Sequence, residues 1–143
     1  MSDLHKQYKA IPLEERIAMS LAEEIPEQWR PFVVCDQWLV VKCYFSRRAD
    51  LRPEEVAVLA KDDDYVIRLS IAKREDLTPE MVQTFFADRD PNVRHAIARN
   101  RLLPEALRET LKSDVDELVT QAAKKGAREV RFRQRPGQAV LIR

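Results

Sequence analysis

The stretch DRDPNVRHAIARN, Asp88 to Asn100, lies over DDDYVIRLSIAKR, Asp62 to Arg74, when the chain is moved by 26 positions. Asp62, Ile67, Arg68, Ile71 and Ala72 fall on Asp88, Val93, Arg94, Ile97 and Ala98. An acidic corner, a branched apolar pair and a basic exit all return together, which is more specific than a shared charge cluster. The same step takes Arg48 to Arg74, Leu51 to Leu77 and Pro53 to Pro79. A further step takes Leu77 to Leu103, skips one residue before Pro104, and regains register at Asp114, Val119, Ala123 and Lys124. A weaker unit begins near Ile25 and includes Asp36, Val41, Phe45 and Arg47. The chain therefore reads as about four units: Ala22–Arg47, Arg48–Lys73, Arg74–Arg99 and Asn100–Lys125.

Each clear unit predicts two short helices around an acidic turn. Pro53 and Pro79 suit a first helical turn, where a missing amide costs little, and Thr78 supplies a cap before Pro79. Asp90 and Pro91 form a second cap-and-start pair ahead of Val93, Ala96 and Ile97. Helices this short are marginal alone in water, so each must cover the apolar side of its neighbour. The expected architecture is all-α: a right-handed alpha-alpha superhelix of about four 26-residue repeats over 22–125. Residues 1–21 read as an N-terminal capping helix with a Leu13, Ile17, Leu21 stripe that can continue to Ile25. Trp29, Phe32, Trp38, Tyr44 and Phe45 read as an N-terminal aromatic core. Residues 126–143 form a basic extension, read either as a short β-hairpin, with Val130 and Phe132 on one side, or as a flexible tail.

Composition limits function. The chain has 143 residues, enough for one domain burying roughly 68% of its unfolded surface. With 25 basic and 24 acidic residues the formal charge is +1, so global attraction to nucleic acid or membrane is not implied. The first residues, MSDLHKQYK, lack the apolar core of a secretory signal, and no apolar run approaches the roughly 20 residues of a membrane span. With two cysteines, Cys35 and Cys43, the expectation is a reduced, cytoplasmic protein. Gly126 and Gly137 are the sole glycines, too few for a phosphate-cradling loop. No catalytic set, metal site or cofactor is predicted. Cys35 with His95 is a compositional nucleophile–base pair without established geometry, and His5 lies on a terminus expected to be mobile.

Asp62, Asp88 and Asp114 are expected to tie down helix ends, with Arg68 and Arg94 pairing with acidic corners and covering apolar surface with their stems. The exit series Arg47/Arg48, Lys73/Arg74, Arg99/Arg101 and Lys124/Lys125, continued by Arg128, Arg131, Arg133 and Arg135, is the candidate nucleic-acid-binding set. From Arg48 to Lys125 the charge is mixed, fourteen basic against sixteen acidic residues, which suits selective protein contact. A protein-interaction scaffold is thus the leading expectation and nucleic-acid binding the alternative. Oligomeric state is not readable.

The acidic corner followed by VRHAIAR, with LTPE and LLPE before the next helices, resembles the leucine-rich repeat variant family, a bacterial branch of the HEAT-like alpha-solenoid group. The resemblance is strongest from Leu51 to Ala123, and Thr120 stands where the pattern has arginine. It implies short α-helices alternating with three-ten helices in a superhelix. Some members of that family are fused to a cysteine-bound iron–sulfur domain, but two cysteines do not complete a four-cysteine cluster. HEAT-like solenoids also include DNA-lesion-processing proteins, so the resemblance is compatible with nucleic-acid binding.

Overall fold

A computed structural model describes residues 2–129 and 136–137. These residues fall in two compact units, 2–59 with 136–137, and 60–129. Both are built from short helices that pack in pairs.

In the first unit α1 (Asp3–Ala10) is capped by Ser2 and followed by α2 (Leu13–Leu21). A three-ten turn at Glu27–Trp29 leads directly into α3 (Arg30–Val33), then come α4 (Leu39–Ser46) and α5 (Pro53–Leu59). α2 packs along α4, and α3 braces both the three-ten turn and α4. Val33, Val41, Phe45 and Leu59 are fully buried. The predicted aromatic core is only partly realised. Phe45 is inside, and Tyr8, Trp29 and Phe32 form a ring cluster with centroids 5.4 to 6.3 Å apart, but Trp38 is 46% exposed. His5, expected on a mobile end, sits within α1 with its ring 5.5 Å from Phe32. The predicted α2 stripe also differs: Leu21 is exposed, while Arg16 and Ser20 are the buried residues of this helix.

The second unit contains α6 (Tyr65–Ala72), α7 (Pro79–Phe86), α8 (Pro91–Ala98), α9 (Glu105–Leu111) and α10 (Glu117–Lys125). α8 packs against α6 on one side and α10 on the other, with α7 against α8 and α9 against α10. Ile67, Ile71, Phe85, Val93, Ile97 and Val119 are fully enclosed, all at positions the apolar period marks. Side-chain caps explain where four of these five helices begin. Asp64, Asp90 and Asp116 accept hydrogen bonds from the amides of Val66, Asn92 and Leu118, and Thr78 accepts from Met81. Pro79 and Pro91 occupy first-turn positions. α10 ends at Gly126, whose φ of 77° is the left-handed region that favours glycine.

The observed class is all-α with repeating pairwise helix contacts, a generic alpha-solenoid arrangement. The leucine-rich label is corrected. Among the described residues there is no strand, so a leucine-rich-repeat architecture, which carries a strand in each repeat, does not fit. The expected alternation with three-ten helices is also absent from the second unit, where both helices of each pair are α. In α6, α7, α8 and α10 the side-chain caps, joined in α7 and α8 by first-turn prolines, start α-type ladders and leave no need for a tighter turn. The proposed hairpin at Val130 and Phe132 lies outside the described residues, apart from Pro136 and Gly137.

Candidate interaction surfaces

The acidic corners share one geometry. Asp36, Asp62, Asp88 and Asp114 each accept the amide N–H two residues ahead, at Trp38, Asp64, Asp90 and Asp116, over 2.7 to 2.9 Å. These side-chain turns fix the chain just before a helix starts. In the second unit the free faces of two corners receive guanidinium groups. Arg68 donates to Asp88 through Nε and Nη2 at 2.9 and 3.1 Å, and Arg94 does the same to Asp114 at 2.9 and 3.2 Å. The remaining Nη1 of each arginine turns back to its own corner, to the carbonyls of Asp62 and Asp63 for Arg68 and of Asp88 for Arg94. Each arginine therefore couples two consecutive corners. Burial by itself would raise the Asp114 carboxyl; the hydrogen bonds from Arg94 and the Asp116 amide outweigh it and hold the pKa below the usual carboxylate value.

The first unit has a counterpart that sequence reading missed. Arg16 Nη1 meets Asp36 Oδ2 at 3.1 Å, the same oxygen accepts from the Tyr8 hydroxyl at 2.6 Å, and the guanidinium lies 4.8 Å from the Tyr8 ring centre. Burial, then the hydrogen bond to Asp36, push the tyrosine well above its ordinary value. A signal was present: Arg16 stands 52 positions, two periods, before Arg68.

The exit cations divide into two sets. Arg48 is completely buried and donates to the carbonyls of Ser20 and Glu23 at 2.9 and 3.0 Å and to Asp50 at 2.8 and 3.0 Å. Arg74, 26 positions on, is buried against Asp76 at 2.8 Å. Asn100 follows after another 26 and donates to the Ala72 and Arg74 carbonyls at 2.9 and 2.8 Å. Arg48 and Asn100 satisfy carbonyls left open near the end of a preceding helix, and Arg74 is held against Asp76, so Arg48 and Arg74 are interior polar staples, not members of a solvent-facing row. Successive residues at a helix end point about 100° apart, which is why Arg48 and Arg74 turn inward while Arg47 and Lys73 face solvent. Arg47, Lys73, Lys124, Lys125 and Arg128 are exposed. Arg101 is exposed and pairs with Glu75 at 3.2 Å. Arg99 is half-buried, with Nη1 donating to the Gly126 carbonyl at 2.6 Å. Arg131, Arg133 and Arg135 lie outside the described residues.

Three of these cations share one face of the second unit. Lys73 closes α6, Arg99 closes α8 and Lys125 ends α10. Arg128 is drawn to the same place because its amide donates to the Arg99 carbonyl at 2.8 Å. His95, one turn before Arg99, sits in their field. Burial first, then Arg128, Arg99, Lys73 and Lys125, lower its pKa from the ordinary histidine value.

A different feature marks the first unit. At the position where α6, α8 and α10 have a capping aspartate, α4 has Trp38, with no side-chain cap. Trp38, Leu39 and Val40 are 46%, 41% and 37% exposed in succession. Cys35 is exposed and Cys43 is half-buried, and neither is in a disulfide.

Among the described residues no group of three or more His, Cys, Asp or Glu side chains is arranged to hold a metal, and no helix is long and apolar enough to cross a membrane. The fold and these surfaces place the chain among all-α proteins built by pairwise helix stacking. Compared with protein-family models, curated proteins and solved structures, it matches none.

Proposed function

We propose that the chain is a non-catalytic protein-interaction scaffold, a right-handed superhelix of about four 26-residue repeats whose surface recognises another protein. The observation that carries this is the start of α4. A side-chain cap contributes typically about 1 kcal/mol, yet Trp38 stands where the related helices have Asp64, Asp90 and Asp116. The three consecutive exposed apolar side chains supply what a protein interface uses at its centre, an aromatic anchor with aliphatic neighbours. A near-zero net charge, +1 over the chain, fits selective contact better than bulk polyanion attraction.

The test replaces this edge with the residues of a related helix. Trp38→Asp/Leu39→Glu gives α4 the Asp116-Glu117 start of α10, which caps itself. Partners captured by the parent protein are prepared pure and titrated against both forms, with circular dichroism confirming helix content. The expected result is a folded variant that binds a purified partner at least about tenfold more weakly, the loss of one hot-spot anchor. Equal affinity for the variant contradicts the proposal.

A further inference from the structure

We propose that the C-terminal edge of α6, α8 and α10 is a docking strip for an acidic segment of a protein partner, lying across the three helices along Lys73, Arg99, Lys125 and Arg128. This rests on the scaffold function above and names the chemistry of a second contact. α8 lies between α6 and α10, and each of the three helices ends in a cation. Helix axes pack about 8–10 Å apart, so the row is about 16–20 Å long. An extended segment of roughly six residues covers that length, and its alternate side chains face one way. The Arg99 guanidinium is tied to the Gly126 carbonyl and the Arg128 backbone to the Arg99 carbonyl, so both residues stand in the row before any ligand arrives.

Width separates a peptide from a nucleic acid. α6 and α8 are eight residues long, about 12 Å, and their opposite ends carry the acidic corners Asp62 to Asp64 and Asp88 with Asp90. The same edge of α10 carries Asp114, Asp116 and Glu117. A duplex, whose two grooves alone measure about 12 and 6 Å, overlaps that acidic rim. Four cations also give a polyanion little counterion release compared with proteins that make six to ten phosphate contacts. A single narrow chain with its carboxylates on one side meets the cations and clears the rim.

The alternative drawn from the whole exit series, nucleic-acid binding, becomes one outcome of the experiment. A fluorescein-labelled peptide of alternating glutamate and serine, and a labelled single-stranded oligonucleotide of equal charge, are titrated by anisotropy at low salt. The full chain is compared with Lys125→Glu/Arg128→Glu and with Lys61→Glu/Lys112→Glu, which changes net charge equally from elsewhere on the unit. The peptide should bind the parent, weaken at least about fivefold in the first variant and change less than about twofold in the second. Its titration should also move the His95 ring resonances. Absence of peptide binding, equal weakening in both variants, or tighter binding of the oligonucleotide with the same Lys125/Arg128 dependence each overturns the proposal. A partner that still requires Trp38 in that case leaves the scaffold function standing.

Discussion

Asp36 holds three donors at once: the Tyr8 hydroxyl, the Arg16 guanidinium and the Trp38 amide. Removing it strands a buried cation, and breaking such a pair typically destabilises by about 3–5 kcal/mol. Asp36→Ala should therefore lower the urea midpoint sharply, whereas an unchanged midpoint would mean that Arg16 finds another partner. Gly137 is a second sensitive point. Its φ is 80°, a side chain there would overlap the Asp50 carboxyl, and the Ala49 amide donates to the neighbouring Pro136 carbonyl at 3.0 Å. Gly137→Ala should free that amide, seen as faster hydrogen exchange at Ala49 with little change within α4. His95 gives a signed pH dependence. Because its folded pKa is lowered, the unfolded chain binds the proton first as pH falls, so His95 subtracts stability as pH drops through the ordinary histidine value near 6.5. Ring-proton NMR should find it titrating below that value, and Lys125→Glu should raise it. The recurring arginines were legible by their spacing, but which corner each one takes was not. Arg68 and Arg94 reach forward to the aspartate 20 residues on, a choice made by the packing of adjacent helices.

Helix starts were the most readable elements, because caps are local chemistry. Asp90 before Pro91 and Thr78 before Pro79 announce α8 and α7 without tertiary information. Asp116→Ala should cost about 1 kcal/mol, as loss of a side-chain cap does, measured by chemical denaturation. Helix ends were harder. A dibasic exit looks like one charged patch in sequence, yet Arg47 faces solvent while Arg48 fills a fully buried site. Only the presence of open carbonyls at Ser20 and Glu23 tells the two apart, and those belong to a segment some 25 residues earlier. α2 was hidden for a related reason. Its buried face is made by Arg16 and Ser20, so an apolar stripe drawn through Leu21 points the wrong way.

At the scale of the whole molecule, the 26-residue spacing was legible because it sets where second helices begin: α2, α4, α6, α8 and α10 start at Leu13, Leu39, Tyr65, Pro91 and Glu117. The proposed function was less legible, since it rests on departures from that spacing, such as Trp38 in place of a capping aspartate, and on which cations remain outside. Short helices in the second unit are stable only through their neighbours, with Arg94 tying the corner before α8 to the corner before α10. Native-state hydrogen exchange on the parent and Arg94→Ala tests this most directly. Half-buried Asp114 loses two charge-assisted hydrogen bonds, which should cost about 1.5–3 kcal/mol, and the amides of α8 and α10 should lose protection together. Loss confined to the amides around Asp114, with the interior of both helices still protected as in the parent, would contradict it.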